Sequence, residues 1–205
     1  MSIKTACFTG HRHLLQHKVD ELSQLIDQAV VEAYKHGYRQ FLCGGALGFD
    51  TLAASRILFF RNKYPDMRLV LVIPCENQDL HWNKEDQILY RKIRGQADDV
   101  IVLSPAYYQG CMQTRNRYMI DHSSLCICYL FSLRGGTAYT VRYAVFRNIE
   151  IVNLAMEHSQ TEMTLRENQW NSMFISHSAN KNADIAHLFL LQDRNLKKKN
   201  TSSSF

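Results

Sequence analysis

The stretch that decides the fold runs from Gln40 to Ile73 and reads QFLCGGALGFDTLAASRILFFRNKYPDMRLVLVI. It opens with an apolar run that ends at Cys43, turns at Gly44, continues with a helical pattern and ends in the apolar run Leu69–Ile73. Neither run alternates polar and apolar residues, which is typical of strands that are buried on both faces of a parallel sheet. The stretch therefore predicts a strand, a helix and a second strand parallel to the first.

The same order of strand and helix continues on both sides of this unit. We expect helices between further strands at Thr5–Thr9, Val100–Leu103, Leu125–Phe131 and Ile149–Asn153. Six mostly parallel strands with helices on both faces make a Rossmann-like α/β fold, predicted here for residues 1–155. Residues 156–205 are richer in polar side chains, and we expect a C-terminal extension with one short helix and a basic, mobile tail.

Composition and charge narrow the classes of function. Of the 205 residues, 46% are hydrophobic and 21% charged, so the chain is not a disordered one. Its apolar runs are too short to span a bilayer, and we expect a cytoplasmic protein without a membrane partner. Four positive charges near the end account for most of the net charge of +5 and leave +1 for the rest of the chain: Arg194, Lys197, Lys198 and Lys199. Nucleic acid is therefore not an expected partner.

The six cysteines have no spacing that suits a metal ion, so no metal site is predicted. Most of them lie in or beside the apolar runs and are expected to be buried thiols, with Cys111 more exposed.

Candidate ligand-binding residues gather in the loops that follow the strands. The carboxyl ends of parallel strands share one edge of the sheet, where α/β proteins bind ligands. The candidates at this edge are Gly10, His11, Arg12, Gly44, Gly45, Gly48, Asp50, Arg115, Asn116, Gly135, Gly136 and Thr137.

Two glycine pairs, Gly44-Gly45 and Gly135-Gly136, each stand between a strand and a helix. Unpaired N–H groups and the partial positive charge at a helix start favour a phosphate, so the two turns together predict an anion site. Neither turn has the spacing of the dinucleotide fingerprint or of the P-loop, so neither NAD chemistry nor Walker-type ATPase chemistry is predicted. No cofactor is required, and a nucleotide-like ligand is expected.

Several side chains keep two interpretations. Glu76 is either a catalytic carboxylate or an exposed loop acid, and Trp82 either stacks on a base or packs in the core. His11 is either an acid–base group or an inert loop residue. Asp50 either binds a ribose hydroxyl or favours the start of its helix, and Thr137 contacts a phosphate, caps its helix, or does both. Arg115 and Asn116 are expected to begin a helix.

Four motifs resemble the YpsA-like branch of the SLOG superfamily, which also contains the DprA/Smf proteins and the LOG phosphoribohydrolases. They are FTGHR at Phe8–Arg12, GGALGFD at Gly44–Asp50, RNRYMID at Arg115–Asp121 and GGTAYT at Gly135–Thr140. The resemblance covers about Lys4 to Leu154. It implies a Rossmann-like domain that binds a nucleotide or a nucleotide-derived ligand, often as a homo-oligomer.

The resemblance leaves the activity open. The LOG enzymes use a glutamate to cleave an N-glycosidic bond, and Thr140 stands at the matching position in this chain. The first hypothesis is therefore a nucleotide-ligand sensor or a modest hydrolase. The alternatives are a LOG-like phosphoribohydrolase with Glu76 as its carboxylate, and a DprA-like protein that binds single-stranded DNA.

Overall fold

Strands and helices alternate along the part of the chain that the structure describes, residues 3–14 and 16–155 of a computed structural model. The elements are β1 Lys4–Gly10, α1 Val19–Lys35, β2 Tyr38–Cys43, α2 Phe49–Phe60, β3 Arg68–Ile73, α3 Lys84–Gln96, β4 Asp99–Val102, α4 Cys111–Asp121, β5 Leu125–Tyr129, α5 Gly135–Phe146 and β6 Glu150–Asn153. A short 3₁₀ turn at Gln16–Lys18 precedes α1. The predicted extension over 156–205 lies outside the described residues.

All neighbouring strands pair in parallel, in the order β4-β3-β2-β1-β5-β6. The chain adds strands outward from β1 to β4 and then returns to the other side of β1 to form β5 and β6. The order of the strands therefore reverses between β1 and β5, the place where α/β sheets bind ligands. The predicted Rossmann-like α/β fold is confirmed.

The core consists of two layers, one on each face of the sheet. Helices α1, α2 and α3 pack against one face, with Phe8, Phe41 and Phe49 fully buried beneath them. Helices α4 and α5 cover the other face, where Met119 and Val141 meet strand residues. The apolar strand sequences follow from this arrangement, since both faces of the central strands are covered. No helix in the described residues combines the length and apolar character needed to cross a membrane.

Helix α4 begins earlier than the sequence predicts. Helix α4 starts at Cys111 because Gly110, in the left-handed conformation, precedes it and accepts a hydrogen bond from the Thr114 N–H. Arg115 and Asn116 therefore lie in the second turn of α4, and the expectation that they begin the helix is wrong. Cys111 is buried, with 1% of its surface exposed, so its predicted exposure is wrong as well.

Candidate functional site

A cavity of about 230 Å³ opens at the carboxyl edge of the sheet, where the strand order reverses. Its wall comes from the ends of β1 and β2, from one face of α4 and from the start of α5. The lining residues are Thr9, Gly10, His11, Arg12, Ala46, Asp50, Met112, Arg115, Asn116, Met119, Gly136 and Thr137. Eight of the predicted ligand-binding residues thus meet around one cavity: Gly10, His11, Arg12, Asp50, Arg115, Asn116, Gly136 and Thr137.

The start of α5 forms one wall of the cavity through Gly136 and Thr137. The first N–H groups of a helix have no acceptor within the helix, and they carry its positive dipole end. The preceding Arg134 makes no side-chain capping bond to this helix. Thr137 is the third residue of α5 and not its N-cap, so the prediction that Thr137 caps the helix is wrong. This wall is suited to an anion.

Arg115 and Asp50 form a buried ion pair in the wall, with only 5% and 4% of their surfaces exposed. Nη1 of Arg115 lies 3.7 Å from Oδ2 of Asp50 and donates a hydrogen bond to the Gly44 carbonyl. Burial raises the pKa of Asp50 and lowers that of Arg115, while their mutual attraction opposes both shifts. The buried Nε of Arg115 has no hydrogen-bond partner among the described residues. One donor of a side chain that lines the cavity thus lacks an acceptor in the described chain.

In the turn between β2 and α2, the side chain of Asp50 already occupies the space where an anion would bind. Oδ2 of Asp50 accepts a hydrogen bond of 3.3 Å from the Ala46 N–H, and the Phe49 N–H donates to the His11 carbonyl. Asp50 therefore holds the position that an anion takes at such a turn. Gly44, Gly45 and Gly48, predicted as ligand-binding residues, are absent from the lining of this cavity.

Close packing explains the glycines at 44 and 48. A Cβ at Gly44 would overlap the Arg115 guanidinium, and one at Gly48 would overlap the Arg12 backbone. Gly48 also has a φ of +77°, a conformation that strains other residues. Both glycines thus position the cavity's arginines. Gly135, also predicted to bind ligand, starts α5 with a φ of +86° but does not line the cavity.

His11 and Arg12 lie at the end of β1. Burial lowers the pKa of His11, and its ring lies 4.0 Å from the Phe131 ring, measured between centroids. The Arg12 side chain is exposed and makes no hydrogen bond or ion pair with a described residue, although its charge lowers the pKa of Asp50. Arg12 is therefore a cation at the cavity that can turn toward a ligand.

A chain of hydrogen bonds joins α4 to the start of α5. Nδ2 of Asn116 donates to Oγ1 of Thr140 at 2.7 Å, and Oγ1 of Thr140 donates to the Gly136 carbonyl at 2.8 Å. Thr140 therefore connects α4 to the helix start that lines the cavity.

Glu76 and Trp82 are not brought to the cavity. The Glu76 carboxylate accepts a 2.6 Å bond from Arg94, and 53% of its side chain is exposed, which corresponds to the loop-acid interpretation. Trp82 packs edge-on against Tyr90 at 5.3 Å, which corresponds to the packing interpretation.

Three residues at or next to the cavity were not predicted from the sequence. Met112 and Met119 line the cavity, and the Phe131 ring packs against the His11 ring at an angle of 45°. The methionines stand three residues before and four residues after Arg115, a spacing that places all three on one face of a helix. That periodicity could have identified them. Phe131 gives no such signal, because it sits in a loop and its partner comes from another strand.

A six-stranded parallel sheet with a polar cavity at its switch point defines an α/β protein of the Rossmann-like class. Within that class the chain belongs to the YspA SLOG family, whose model matches residues 8–150. This match confirms the resemblance carried by the four motifs.

Individual relatives agree with this assignment. The SPbeta prophage-derived protein YoqJ of Bacillus subtilis is 27% identical over 137 residues, covering 61% of this chain and 78% of YoqJ. A UPF0398 protein of Staphylococcus haemolyticus is 27% identical over 134 residues, covering 61% of this chain and 72% of that protein.

Two solved structures share the fold. DNA processing protein A of Streptococcus pneumoniae has a TM-score of 0.53 and 18% identity, over 73% of this chain and 49% of that protein. DNA processing protein A of Helicobacter pylori has a TM-score of 0.52 and 19% identity, over 72% of this chain and 63% of that protein. This chain thus spans about half the length of the first and under two thirds of the second. The Helicobacter structure is described in terms of that protein's single-stranded DNA binding mode.

Proposed function

We propose that the cavity binds the phosphate of a nucleotide or nucleotide-derived ligand and that the protein acts as a sensor of that ligand. One observation carries the proposal. The start of α5 and the buried Arg115, whose Nε has no hydrogen-bond partner among the described residues, line the same small cavity. A helix start or a buried arginine alone is a common feature. Together at one cavity, they can supply backbone donors and a guanidinium donor to one bound group.

The charges around the cavity support an anion. Asp50 offsets Arg115, so the net positive charge comes from Arg12 and from the helix dipole of α5. Since Asp50 is held by Arg115 and by the Ala46 N–H, its carboxylate does not compete for the start of α5. A phosphate there would accept from Gly136 and Thr137 N–H groups and from Arg115.

Cleavage of an N-glycosidic bond is the less favoured form of this function. Such a reaction needs a carboxylate beside the sugar, as general acid, base or nucleophile. Asp50 is the one carboxylate among the residues that line the cavity within the described chain, and it is held in an ion pair. Thr140 engages Asn116 and the Gly136 carbonyl, and Glu76 lies outside the lining. Binding without turnover is the expectation.

Titration calorimetry with the four nucleoside monophosphates tests the proposal on the full chain. A Cβ at Gly136 meets no atom within 4 Å, so Gly136→Val preserves the fold but places a side chain against the bound phosphate. We expect Gly136→Val to lower the affinity at least about tenfold, because the valine side chain keeps the phosphate from the N–H donors of the helix start and so weakens its hydrogen bonds.

Gly95→Val is the matched control, because Gly95 lies in α3 with the same free space and does not line the cavity. It should bind like the wild type. Absence of binding by the wild type, or equal binding by Gly136→Val, would refute the proposal. Chromatography of the same mixtures would show free base if the protein is a hydrolase.

Single-stranded DNA is the second candidate ligand. Exposed aromatic side chains at the carboxyl edge, Phe131 and Tyr107, favour it because bases of any sequence stack on such rings. Fluorescence anisotropy with a labelled oligonucleotide distinguishes the candidates. Oligonucleotide binding that persists near 0.15 M salt and is lost in Gly136→Val would make DNA the ligand of this cavity, whereas loss of binding as salt rises indicates only non-specific attraction. A homo-oligomeric state and a cytoplasmic location stay predictions.

A further inference from the structure

We propose that Phe131, backed by His11, is the platform on which the base of a nucleoside phosphate stacks. The inference rests on the proposed phosphate site and extends it outward to the mouth of the cavity. It makes Phe131 a specificity-determining residue, because it gives the ligand's base a contact of its own.

Phe131 is an apolar ring with an unusual position. It lies two residues after the end of β5, and 61% of its surface is exposed. The loop that contains it leads within four residues to Gly135 at the start of α5, so the ring stands at the same edge of the sheet as the proposed phosphate site.

Two neighbours hold the Phe131 ring in place. One side meets the His11 ring, with the centroids 4.0 Å apart and the planes at 45°. Tyr129, which is 7% exposed, contacts Phe131 edge-on at 5.3 Å. A ring that is fixed before binding loses little conformational freedom when a base stacks on it.

His11 connects this ring to the cavity, because it lines the cavity wall and touches Phe131. Its burial favours the neutral imidazole, which presents a flat, uncharged ring at neutral pH. The wall thus contains the charged Arg115 and the aromatic His11, with the Phe131 ring packed against His11, so the site offers separate partners for the phosphate and the base of a nucleotide.

The size of the cavity supports the same arrangement. Its volume of about 230 Å³ is below the roughly 300–1,000 Å³ of pockets that enclose a drug-sized ligand. The cavity therefore holds the phosphate and part of the sugar, and leaves the base at its mouth. Trp82, the aromatic residue singled out in the sequence, packs against Tyr90 and does not line the cavity.

Calorimetry with ribose 5-phosphate and the four nucleoside monophosphates tests the inference on the full chain. We expect the wild type to bind at least one monophosphate about tenfold more tightly than ribose 5-phosphate, a gain in the range of one base–aromatic stack. Phe131→Leu should remove that preference and leave the affinity for ribose 5-phosphate unchanged. Phe146→Leu is the matched control, since Phe146 is 79% exposed at the last residue of α5 and does not line the cavity, and it should keep the preference.

The possible results distinguish the stacking role of Phe131 from the proposed phosphate site. The stacking role is wrong if the wild type binds ribose 5-phosphate and every monophosphate equally, or if Phe131→Leu keeps the preference for a monophosphate. Neither result contradicts the phosphate site. Failure of all five compounds to bind the wild type overturns both.

Discussion

At the scale of single residues, the buried pair of Arg115 and Asp50 explains much of the site. The buried Arg115 guanidinium contacts the Gly44 carbonyl and Asp50 in place of water. Its Nε has no hydrogen-bond partner within the described chain. A buried pair adds little net stability, but removing one partner leaves the other charge uncompensated. Both residues are therefore sensitive positions for folding as well as for binding.

Arg115→Met should lower the free energy of unfolding by about 3–5 kcal/mol, because Asp50 then remains charged and buried. Adding Asp50→Asn should recover part of that loss, since the unpaired charge is gone. Urea denaturation measures both effects. Arg117→Met is the control, as Arg117 lies on the same helix but is exposed, and it should change stability by less than about 0.5 kcal/mol. A double variant no more stable than Arg115→Met would disagree with this explanation.

His11 gives the site a dependence on pH. Because burial lowers its pKa in the folded protein, the unfolded chain binds the proton more readily. The stability from the neutral ring is fully present above the unfolded pKa of about 6.5 and is lost as the pH falls through the folded pKa. Wild-type stability should thus drop more steeply from about pH 7.5 to pH 5 than that of His11→Gln, measured by urea denaturation at each pH. If the unfolding free energies of the two proteins changed with pH in parallel, the burial of His11 would be contradicted.

At the scale of elements, the two glycine turns look alike in sequence but differ in structure. In the turn before α2, Asp50 accepts the hydrogen bond of a backbone N–H, and the turn packs tightly against Arg115. At the start of α5, by contrast, the space beside Gly136 is free. Asp50 is local to its turn, but Arg115 stands 71 residues from Gly44 along the chain. Local spacing therefore identified both turns as candidates and could not show which one was filled.

Gly44→Ala and Gly136→Ala test this difference between the turns. A Cβ at Gly44 overlaps Arg115, and we expect a loss of about 2–3 kcal/mol in unfolding free energy from overpacking. The same substitution at Gly136 meets free space and should change stability by no more than about 0.5 kcal/mol. Guanidinium denaturation of both variants is the measurement. Similar stability for the two variants would mean that the turns are equivalent.

The strands were predictable from the sequence, whereas the start of α4 was not. Leu69–Ile73 and the apolar run after Leu125 identify buried parallel strands, because no other soluble arrangement covers both faces so completely. The start of α4 depends on the left-handed Gly110, which sequence does not distinguish from any loop glycine. Likewise Glu76 follows a strand as a catalytic acid would, but Arg94 of α3 binds it.

At the scale of the whole molecule, topology concentrates the chemistry in one place. The reversal of strand order between β1 and β5 leaves a gap at the carboxyl edge, and α4 crosses to cover it. This arrangement brings Arg12, Arg115 and Gly136 together although they are far apart in sequence. The motif order alone places them at the same edge, whereas the packing of α4 and α5 makes the edge a cavity.

The central claim is that a phosphate binds at the start of α5, and a crystal structure with a bound nucleoside monophosphate tests it most directly. We predict that phosphate oxygens accept hydrogen bonds from the N–H groups of Gly136 and Thr137 and from Nε of Arg115. A phosphate bound elsewhere, with the start of α5 left to solvent, would contradict the claim.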